Sequence, residues 1–355
     1  MSQFLDPKYA SFEEYTPGEQ PKDFVYTKLN TNESPYPPGP AVTKAVSDPD
    51  LISRLRLYSD PTMSRLKKAL ADRYDVSPEN VFVSNGSDEI LNFAFMAFGQ
   101  DGVLFPEISY GFYEVFGDVN QREYRKVPLL DDFSIRISDY FDSGKMVVLA
   151  NPNAPTGKAV SREEVARICE KNKDHVVLID EAYVDFGAES CVSLIKKYEN
   201  LLVVHTYSKS RSLAGARLGF SFASETLTKD LEKIKFSTNP YNVNSLTAEA
   251  GIAALSEDSY YQENAEKIKK TRTWTEKELR SLGFEVIPSL SNFLFVRSDL
   301  ISGEELYFTL KSKRVLVRHF DSPKITDYNR ITIGTPEQME LLMQKIREIL
   351  EEKNA

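Results

Sequence analysis

A repeated succession of short apolar runs and helical segments is the feature that most constrains the fold of this chain. From about residue 62 onward, apolar runs alternate with stretches in which apolar residues recur at helical spacing. Short apolar runs separated by helices are typical of strands in a parallel sheet that is covered on both faces. The runs that predict such strands are Val81–Val83, Gly102–Phe105, Met146–Ala150, His175–Ile179, Leu201–His205 and Leu218–Phe222.

The pattern changes near residue 245, and this change predicts a second, smaller α+β domain. A long helical stretch over 248–279 is followed by four predicted strands and an amphipathic helix over 336–352. The first 40 residues are rich in Pro, Gly, Tyr and Asn, which predicts an extended arm. We therefore predict an arm (1–40), a large domain (41–245) and a small domain (246–355). The four strands are Gly283–Ile287, Asn292–Val296, Val315–Arg318 and Arg330–Ile333.

Composition excludes several classes of protein. The net charge of −9 argues against a nucleic-acid or anionic-membrane surface, both of which favour clustered Lys and Arg. Cys169 and Cys191 are too few for a disulfide framework, no apolar leader begins the chain, and no apolar run is long enough to span a membrane. The three histidines are scattered without metal-ligand spacing. These observations predict a cytoplasmic protein that binds neither a metal nor a membrane.

Two loops that follow predicted strands carry glycine and proline. Gly86, Ser87 and Asp88 follow the first strand, and a helix that begins there would present unpaired N–H groups to an anion such as a phosphate. A simple N-cap by Ser87 or Asp88 is the alternative, and the motif taken alone favours it. The loop over 151–157 holds two prolines and a glycine, which predicts a rigid turn in which an X–Pro bond can be cis. An ordinary loop is the alternative there.

Two further strands end in residues that carry chemistry. Asp180 follows one of them, and a carboxylate at the mouth of a buried strand needs a cation. The protonated ring nitrogen of pyridoxal phosphate is such a cation, and pairing with it keeps that cofactor an electron sink. Tyr183 is placed to contact the phenolic oxygen of the cofactor, although a capping Asp and a core Tyr are the alternative.

Lys209 follows the next strand, 29 residues after Asp180, so the two side chains should face one cavity from neighbouring strand ends. Most lysines are solvated surface charges, but an amine at this position can attack an aldehyde. Arg217 comes eight residues later between two glycines. With Ser208 and the turn at 86–88, it would enclose one phosphate.

This set of motifs resembles the class I and II, fold-type I, pyridoxal-phosphate aminotransferases over nearly the whole chain. The resemblance rests on Gly-Ser-Asp-Glu, Asn-Pro-Asn-Ala-Pro-Thr-Gly, Asp-Glu-Ala-Tyr, Ser-Lys and Gly-x-Arg-x-Gly. Within the family, the closest resemblance is to the enzymes that act on histidinol phosphate, through the segments 15–21, 29–35, 58–61 and 330–335. It implies a homodimer and the reaction of L-histidinol phosphate with 2-oxoglutarate to give imidazole acetol phosphate and L-glutamate.

The resemblance also implies a role for each site residue. Lys209 would bond covalently to the cofactor and shuttle the proton, Asp180 would pair with the ring nitrogen, and Tyr183 would contact the phenolic oxygen. Tyr110 would stack on the ring. The residues implied for the phosphate are Gly86, Ser87, Asp88, Ser208, Arg217 and, from the other subunit, Tyr58. Those implied for the substrates are Arg330, for the α-carboxylate of glutamate, and Tyr15, Asn32 and Arg318, for the second substrate and its phosphate.

Two positions depart from the family pattern. Ala154 stands where many relatives carry an Asn whose amide contacts the phenolic oxygen, and we expect Asn153 to take that role. The segment that ends in Tyr110 replaces the commoner Pro-Thr-Tyr, and a second aromatic residue, Tyr113, follows it. We nevertheless predict that Tyr110 is the stacking residue.

Three alternatives to the predicted reaction remain open at this point. An aromatic amino-acid aminotransferase and a decarboxylase of a phosphorylated amino acid share the same motifs, because their chemistry is common up to the carbanion. A cofactor-binding regulator without turnover is disfavoured by the charge of −9 and by the lack of a basic helix-turn-helix segment before the fold.

Overall fold

The structure is a computed structural model that describes residues 2–10, 12 and 18–354. The predicted substrate residue Tyr15 lies outside the described residues. The helices are α1 (Pro40–Val46), α2 (Pro49–Ser53), α3 (Ser64–Tyr74), α4 (Ser87–Phe98), α5 (Phe112–Val119), α6 (Arg162–Lys171), α7 (Glu225–Thr238), α8 (Ser245–Ser256), α9 (Asp258–Ser281), α10 (Gly303–Ser312) and α11 (Pro336–Asn354). The strands are β1 (Thr27–Lys28), β2 (Val81–Ser84), β3 (Val103–Pro106), β4 (Tyr124–Val127), β5 (Met146–Ala150), β6 (Val177–Asp180), β7 (Leu201–Thr206), β8 (Gly219–Ala223), β9 (Phe284–Ile287), β10 (Phe293–Ser298), β11 (Val315–Leu316), β12 (Arg318–His319) and β13 (Asn329–Thr332).

Seven strands form the large sheet in the order β2-β8-β7-β6-β5-β3-β4. The pairs among β7, β6, β5, β3 and β4 are parallel, whereas β8 runs antiparallel to both β2 and β7. Because β8 is reversed, its first residue, Gly219, pairs with the last residues of its neighbours, Ser84 and Thr206. The beginning of β8 thus lies at the edge of the sheet where the other strands end.

Helices cover both faces of the large sheet, giving three layers. On one face, Val147, Ile179 and Val203 pack with apolar residues of α3, α6 and α8. On the other face, the alternate strand residues, such as Val148 and Val204, pack with α4, α5 and α7. The side-chain period of two places successive residues of each strand in different layers, which explains why whole runs are apolar.

The small domain is an antiparallel sheet in the order β12-β13-β10-β9, and it packs against α9, α10 and α11. The arm joins this domain through a parallel pair, β1 with β11. The single strand predicted over 315–318 is therefore two short strands, because 315–316 pair with the arm and 318–319 pair with β13. The predicted α/β fold, with a mostly parallel sheet and a smaller C-terminal domain, is confirmed.

Two elements differ from the sequence prediction. Strand β4 is not predicted from the sequence because it lies at the sheet edge, where two adjacent polar residues, Arg125 and Lys126, are exposed. The long helix predicted over 248–279 is interrupted at Glu257 between α8 and α9. Helix α8 packs in the core of the large sheet, and most of α9 packs in the small domain. The domain boundary near residue 245 stays a prediction.

Candidate active site

A cavity lies beyond the carboxyl ends of β5, β6 and β7, where an open α/β sheet binds its ligands. Five strand ends or adjoining loops and the segment after β1 contribute to its wall. Among the described residues, no cluster of His, Cys, Asp or Glu is arranged to hold a metal ion, and no helix is both long and apolar enough to cross a membrane. The cavity is lined by Thr31, Glu33, Ser87, Asp88, Tyr110, Ala150, Ala154, Asp180, Ala182, Tyr183, Thr206, Ser208, Lys209, Ala214 and Arg217.

Lys209 reaches into the cavity from the loop after β7. Its Nζ atom donates a hydrogen bond of 3.2 Å to the carbonyl of Thr31 and lies 5.6 Å from the centre of the Tyr183 ring. The side chain is half-buried. A primary amine in the wall of the cavity therefore donates to one neutral acceptor, which leaves its nitrogen available for covalent chemistry.

Asp180 forms the floor of the cavity and is only 6% exposed. Its carboxylate accepts hydrogen bonds from the hydroxyl of Tyr113 (3.0 Å) and from the backbone N–H of Ala182 (3.2 Å). Burial raises the pKa of Asp180 to about 6, although both hydrogen bonds favour the ionised form. Burial and the adjacent carboxylate hold the pKa of Tyr113 well above its ordinary value, so its hydroxyl remains a donor.

The turn before α4 packs directly on the start of β8. A Cβ atom added at Gly219 would lie 2.4 Å from the carbonyl carbon of Gly86 and from the nitrogen of Ser87. Gly86 itself has a φ of +79°, a conformation that glycine adopts without steric cost. Gly86 is the N-cap residue of α4 and has no side chain, so it provides no side-chain acceptor for the N–H groups of the first turn. The N-terminus of α4 is thus open to an anion.

Arg217 and Asp88 meet at the mouth of this turn. The guanidinium of Arg217 donates to the Asp88 carboxylate at 3.0 Å, and the hydroxyl of Tyr110 donates to the same carboxylate at 2.8 Å. Ser208 lies beside them, where its hydroxyl accepts a hydrogen bond of 3.0 Å from Thr206. The predicted phosphate residues therefore converge on one side of the cavity, with the exception of Tyr58, which is predicted to come from the other subunit.

The loop over 151–157 places Asn153 and Ala154 differently. Ala154 lines the cavity. Asn153 is fully buried and does not line it: its amide donates to the carbonyl of Ile108 and to Thr156, and it accepts from Ser109. The bonds from Asn151 to Pro152 and from Ala154 to Pro155 are both cis.

The predicted substrate residues that the structure describes are Asn32 in the arm and Arg318 and Arg330 in the small domain. Arg318 and Arg330 are directly paired across β12 and β13. Arg330 donates to the carbonyl of Asn30 at 2.9 Å, one peptide unit from the carbonyl that accepts from Lys209. Asn32 is buried, and its amide contacts Tyr183 and Thr332. Neither Arg318 nor Arg330 is among the residues that line the cavity.

Tyr58 lies on the outer surface, where it is 83% exposed and does not line the cavity of its own chain. Its ring stacks on Tyr241 with a centroid separation of 4.5 Å. Other exposed apolar side chains, Ile52, Leu55 and Leu57, precede it in the sequence. This cluster of four residues is called the Tyr58 patch below.

Comparison with known proteins agrees with this geometry. Residues 25–346 match the family model of aminotransferase class I and II. The chain belongs to this family. It is 49% identical to the histidinol-phosphate aminotransferase of Brachyspira hyodysenteriae over 353 residues, which cover 99% of each chain.

Solved structures of the family share the fold of this aminotransferase. The histidinol-phosphate aminotransferase of Sinorhizobium meliloti, in complex with pyridoxal-5'-phosphate, matches with a TM-score of 0.89 at 23% identity and covers 99% of both chains. The L-threonine-O-3-phosphate decarboxylase of Porphyromonas gingivalis matches with a TM-score of 0.78 at 25% identity, over 91% of this chain and 99% of that one.

Several residues of the cavity were not predicted. Thr31, Glu33 and Thr206 line it, and Tyr113 supports Asp180 from behind. Thr206 lies two residues before the Ser208-Lys209 motif, so its closeness in sequence was an available signal. Thr31 and Glu33 come from the arm, and only the tertiary pairing of β1 with β11 brings them to the site.

Proposed function

We propose that this chain is a pyridoxal 5'-phosphate-dependent aminotransferase that exchanges an amino group between L-histidinol phosphate and 2-oxoglutarate. The observation that carries the proposal is the single cavity in which a buried carboxylate, a primary amine and an uncapped helix N-terminus face one another. The relative at 49% identity supports the choice of substrates.

The carboxylate of Asp180 fits the ring nitrogen of this cofactor. Among the described residues, no Lys, Arg or His forms an ion pair with Asp180, although the side chain is buried. A buried carboxylate without a cation is costly, and a protonated pyridine nitrogen would remove that cost. The raised pKa of Asp180, about 6, is what such a carboxylate has before a cation arrives.

The turn before α4 fits the phosphate. The open N–H groups of the helix, the Ser208 hydroxyl and the Arg217 guanidinium all donate, as a dianion requires. Asp88 has the same charge sign as a phosphate. We therefore assign its carboxylate to the orientation of Arg217 and Tyr110, and only its backbone N–H to the phosphate.

When bound, the cofactor supplies an electron sink for the bond that is broken at the α-carbon of the substrate. Lys209 would be the base of this chemistry, because it carries the one amine that lines the cavity among the described residues, and this amine can take the α-proton and return it. Asp180 holds the proton of the ring nitrogen, and Tyr113 keeps the carboxylate in position. Tyr183 and Tyr110 both line the cavity, where Tyr183 would donate to the phenolic oxygen of the cofactor and Tyr110 would cover its ring.

Two arginines serve two anionic groups. We assign Arg330 to the α-carboxylate of glutamate, because its guanidinium lies next to the peptide unit that contacts Lys209. We assign Arg318, its cross-strand partner, to the phosphate of histidinol phosphate. Since both substrates carry an anion and use the same cavity in turn, adjacent guanidinium groups suit both of them.

The chain acts as a homodimer in the cytoplasm. Tyr58 is exposed and does not line the cavity of its own chain, and the Tyr58 patch exposes four large side chains in one short segment. Burial of such a patch against a second copy is favourable, and a twofold interface would carry each Tyr58 towards the other cavity.

A donor and acceptor screen tests the proposed reaction. Purified protein loaded with pyridoxal 5'-phosphate should transfer the amino group of histidinol phosphate to 2-oxoglutarate, with glutamate as product. Preference for tyrosine or phenylalanine over histidinol phosphate would favour an aromatic aminotransferase. Release of carbon dioxide from a phosphorylated amino acid would favour a decarboxylase. No turnover with any donor would refute the proposal.

Substitution of Lys209 tests the assignment of the covalent attachment. Lys209→Ala should abolish the visible absorbance of the lysine-bound cofactor and reduce turnover by several orders of magnitude, because no other amine lines the cavity among the described residues. Lys158→Ala, in a neighbouring loop but paired with Asp132 on the surface, is the control and should leave the spectrum unchanged. An unchanged spectrum in Lys209→Ala would place the attachment elsewhere.

A further inference from the structure

Asn32 connects the small domain to Tyr183 through an unbroken set of hydrogen bonds. Its backbone N–H donates to the hydroxyl of Thr332 at 3.0 Å, and that hydroxyl donates to the Asn32 side-chain oxygen at 2.9 Å. The Asn32 amide nitrogen then donates to the hydroxyl of Tyr183 at 3.0 Å. Asn32 is only 1% exposed, so water does not compete for these bonds.

The pattern of donors fixes the orientation of the amide. The Thr332 hydroxyl accepts from the backbone of Asn32, so its own proton is free to reach the side-chain oxygen. If the amide were reversed, this proton would lose its acceptor and Tyr183 would have to donate to Asn32. The orientation that satisfies every donor therefore presents the amide N–H to Tyr183.

An accepted hydrogen bond determines where Tyr183 directs its own proton. A phenolic hydroxyl has one proton, and the Asn32 amide occupies the side of its oxygen that faces Asn32. The Tyr183 proton is thus directed elsewhere, and Tyr183 lines the cavity. The opposing loop offers no amide there, because Ala154 lines the cavity and the Asn153 amide donates to the carbonyl of Ile108 and to Thr156.

We propose that Asn32 is a positioning residue that directs the Tyr183 proton to the phenolic oxygen of the cofactor, and not a residue that binds substrate. This inference rests on the proposed function. It assigns to Tyr183 and Asn32 together the task that the Asn at the position of Ala154 performs in many relatives. The backbone at position 32 is also suited to asparagine, because its φ is +58° and asparagine tolerates this left-handed conformation better than most residues.

A spectroscopic pH titration of the cofactor-loaded protein tests the proposal. A hydrogen bond donated to the phenolic oxygen stabilises negative charge there and weakens the hold of that oxygen on the proton of the neighbouring lysine nitrogen. Loss of the bond should therefore raise the pH midpoint of the visible band. We expect Tyr183→Phe and Asn32→Asp each to raise it by about one unit, since the aspartate would accept the Tyr183 proton.

The charge of the new carboxylate also raises the midpoint, so the two effects must be separated. In the Tyr183→Phe background only the charge effect of Asn32→Asp remains, and the shift there should be clearly smaller than in the wild-type background. Equal shifts in the two backgrounds, or no shift in either, would overturn the proposal. Thr332→Val removes the hydroxyl that orients the Asn32 amide, and it should raise the midpoint less than Asn32→Asp does. This variant replaces Asn32→Asp in the test if Asn32→Asp does not fold.

Asn30 provides the matched control. It is a buried asparagine two residues away, and its amide donates to the carbonyl of Glu19 and not to Tyr183. Asn30→Asp should lower stability without a comparable shift of the midpoint. A wild-type protein that shows no visible band after cofactor addition would refute the proposed function, whereas a normal band with an unmoved midpoint in Asn32→Asp would refute only the role of Asn32.

Discussion

The charge on Asp180 opposes folding as long as no cation lies next to it. Its folded-state pKa is about 6, above the ordinary value of 3.8, so the cost is fully present above pH 6 and disappears as both states become protonated near pH 4. We predict that, without cofactor, Asp180→Asn is more stable than the wild type at pH 8 by about 1–3 kcal/mol. The difference should vanish towards pH 4, as measured by urea unfolding.

The same substitution should weaken the cofactor-loaded protein. The asparagine side chain is neutral and cannot pair with a ring cation, so cofactor affinity and turnover should fall together. Asp299→Asn, at a side chain that is 94% exposed, is the control and should leave the pH dependence of stability unchanged. If Asp180→Asn is less stable than the wild type at pH 8, the unpaired state of Asp180 is contradicted.

The packing of α4 on β8 decides whether the phosphate turn can form. Gly219→Ala would place a methyl group 2.4 Å from the backbone of the turn, and backbone atoms cannot rotate away as a side chain can. We predict a loss of stability of about 1–3 kcal/mol and a weaker affinity for inorganic phosphate and cofactor. A Cβ atom at Gly215, in the loop before β8, would meet nothing within 4 Å, so Gly215→Ala is the matched control. Equal affinities in the two variants would show that the turn does not hold the phosphate.

Elements whose signals are local were predictable from the sequence. The strands of the large sheet are apolar on both faces, and the motif residues at their ends are contiguous in sequence, so Asp180 and Lys209 could be placed at one edge. Strand β4 is not predictable in this way, because it lies at the exposed edge of the sheet and carries Arg125 and Lys126 where an inner strand would carry apolar residues. The family resemblance implies a substrate role for Asn32, whereas its hydrogen bond to Thr332, 300 residues away, has no local signal in the sequence.

At the scale of the whole molecule, α9 connects the two cores. Tyr261, in its first turn, packs in the core of the large sheet, whereas Ile268 and Leu279 pack in the core of the small domain. The arm makes a second connection, since its segment before Asn32 pairs with β11 and the next residues reach the cavity. The cavity is therefore lined by the large domain and the arm, and the pairing of the arm with β11 connects its wall to the small domain.

The proposed dimer predicts that two inactive variants restore activity when they are combined. Tyr58→Ala would remove the residue that a chain donates to its partner's cavity. Lys209→Ala would remove the amine that a chain supplies to its own cavity. In a mixed dimer, one cavity carries both substitutions and the other carries neither. Random reassociation of equal amounts should therefore recover about one quarter of the wild-type activity.

This recovery depends on exchange of residues between subunits and not on dimerisation alone. If Tyr58 served the cavity of its own chain, every cavity in the mixture would keep one defect and activity would stay at the level of the variants. Leu57→Asp, which places a charge in the Tyr58 patch, should shift the sedimentation of the wild-type chain from dimer to monomer. In the mixture it should also abolish the recovery, because the intact cavity exists only where two chains meet.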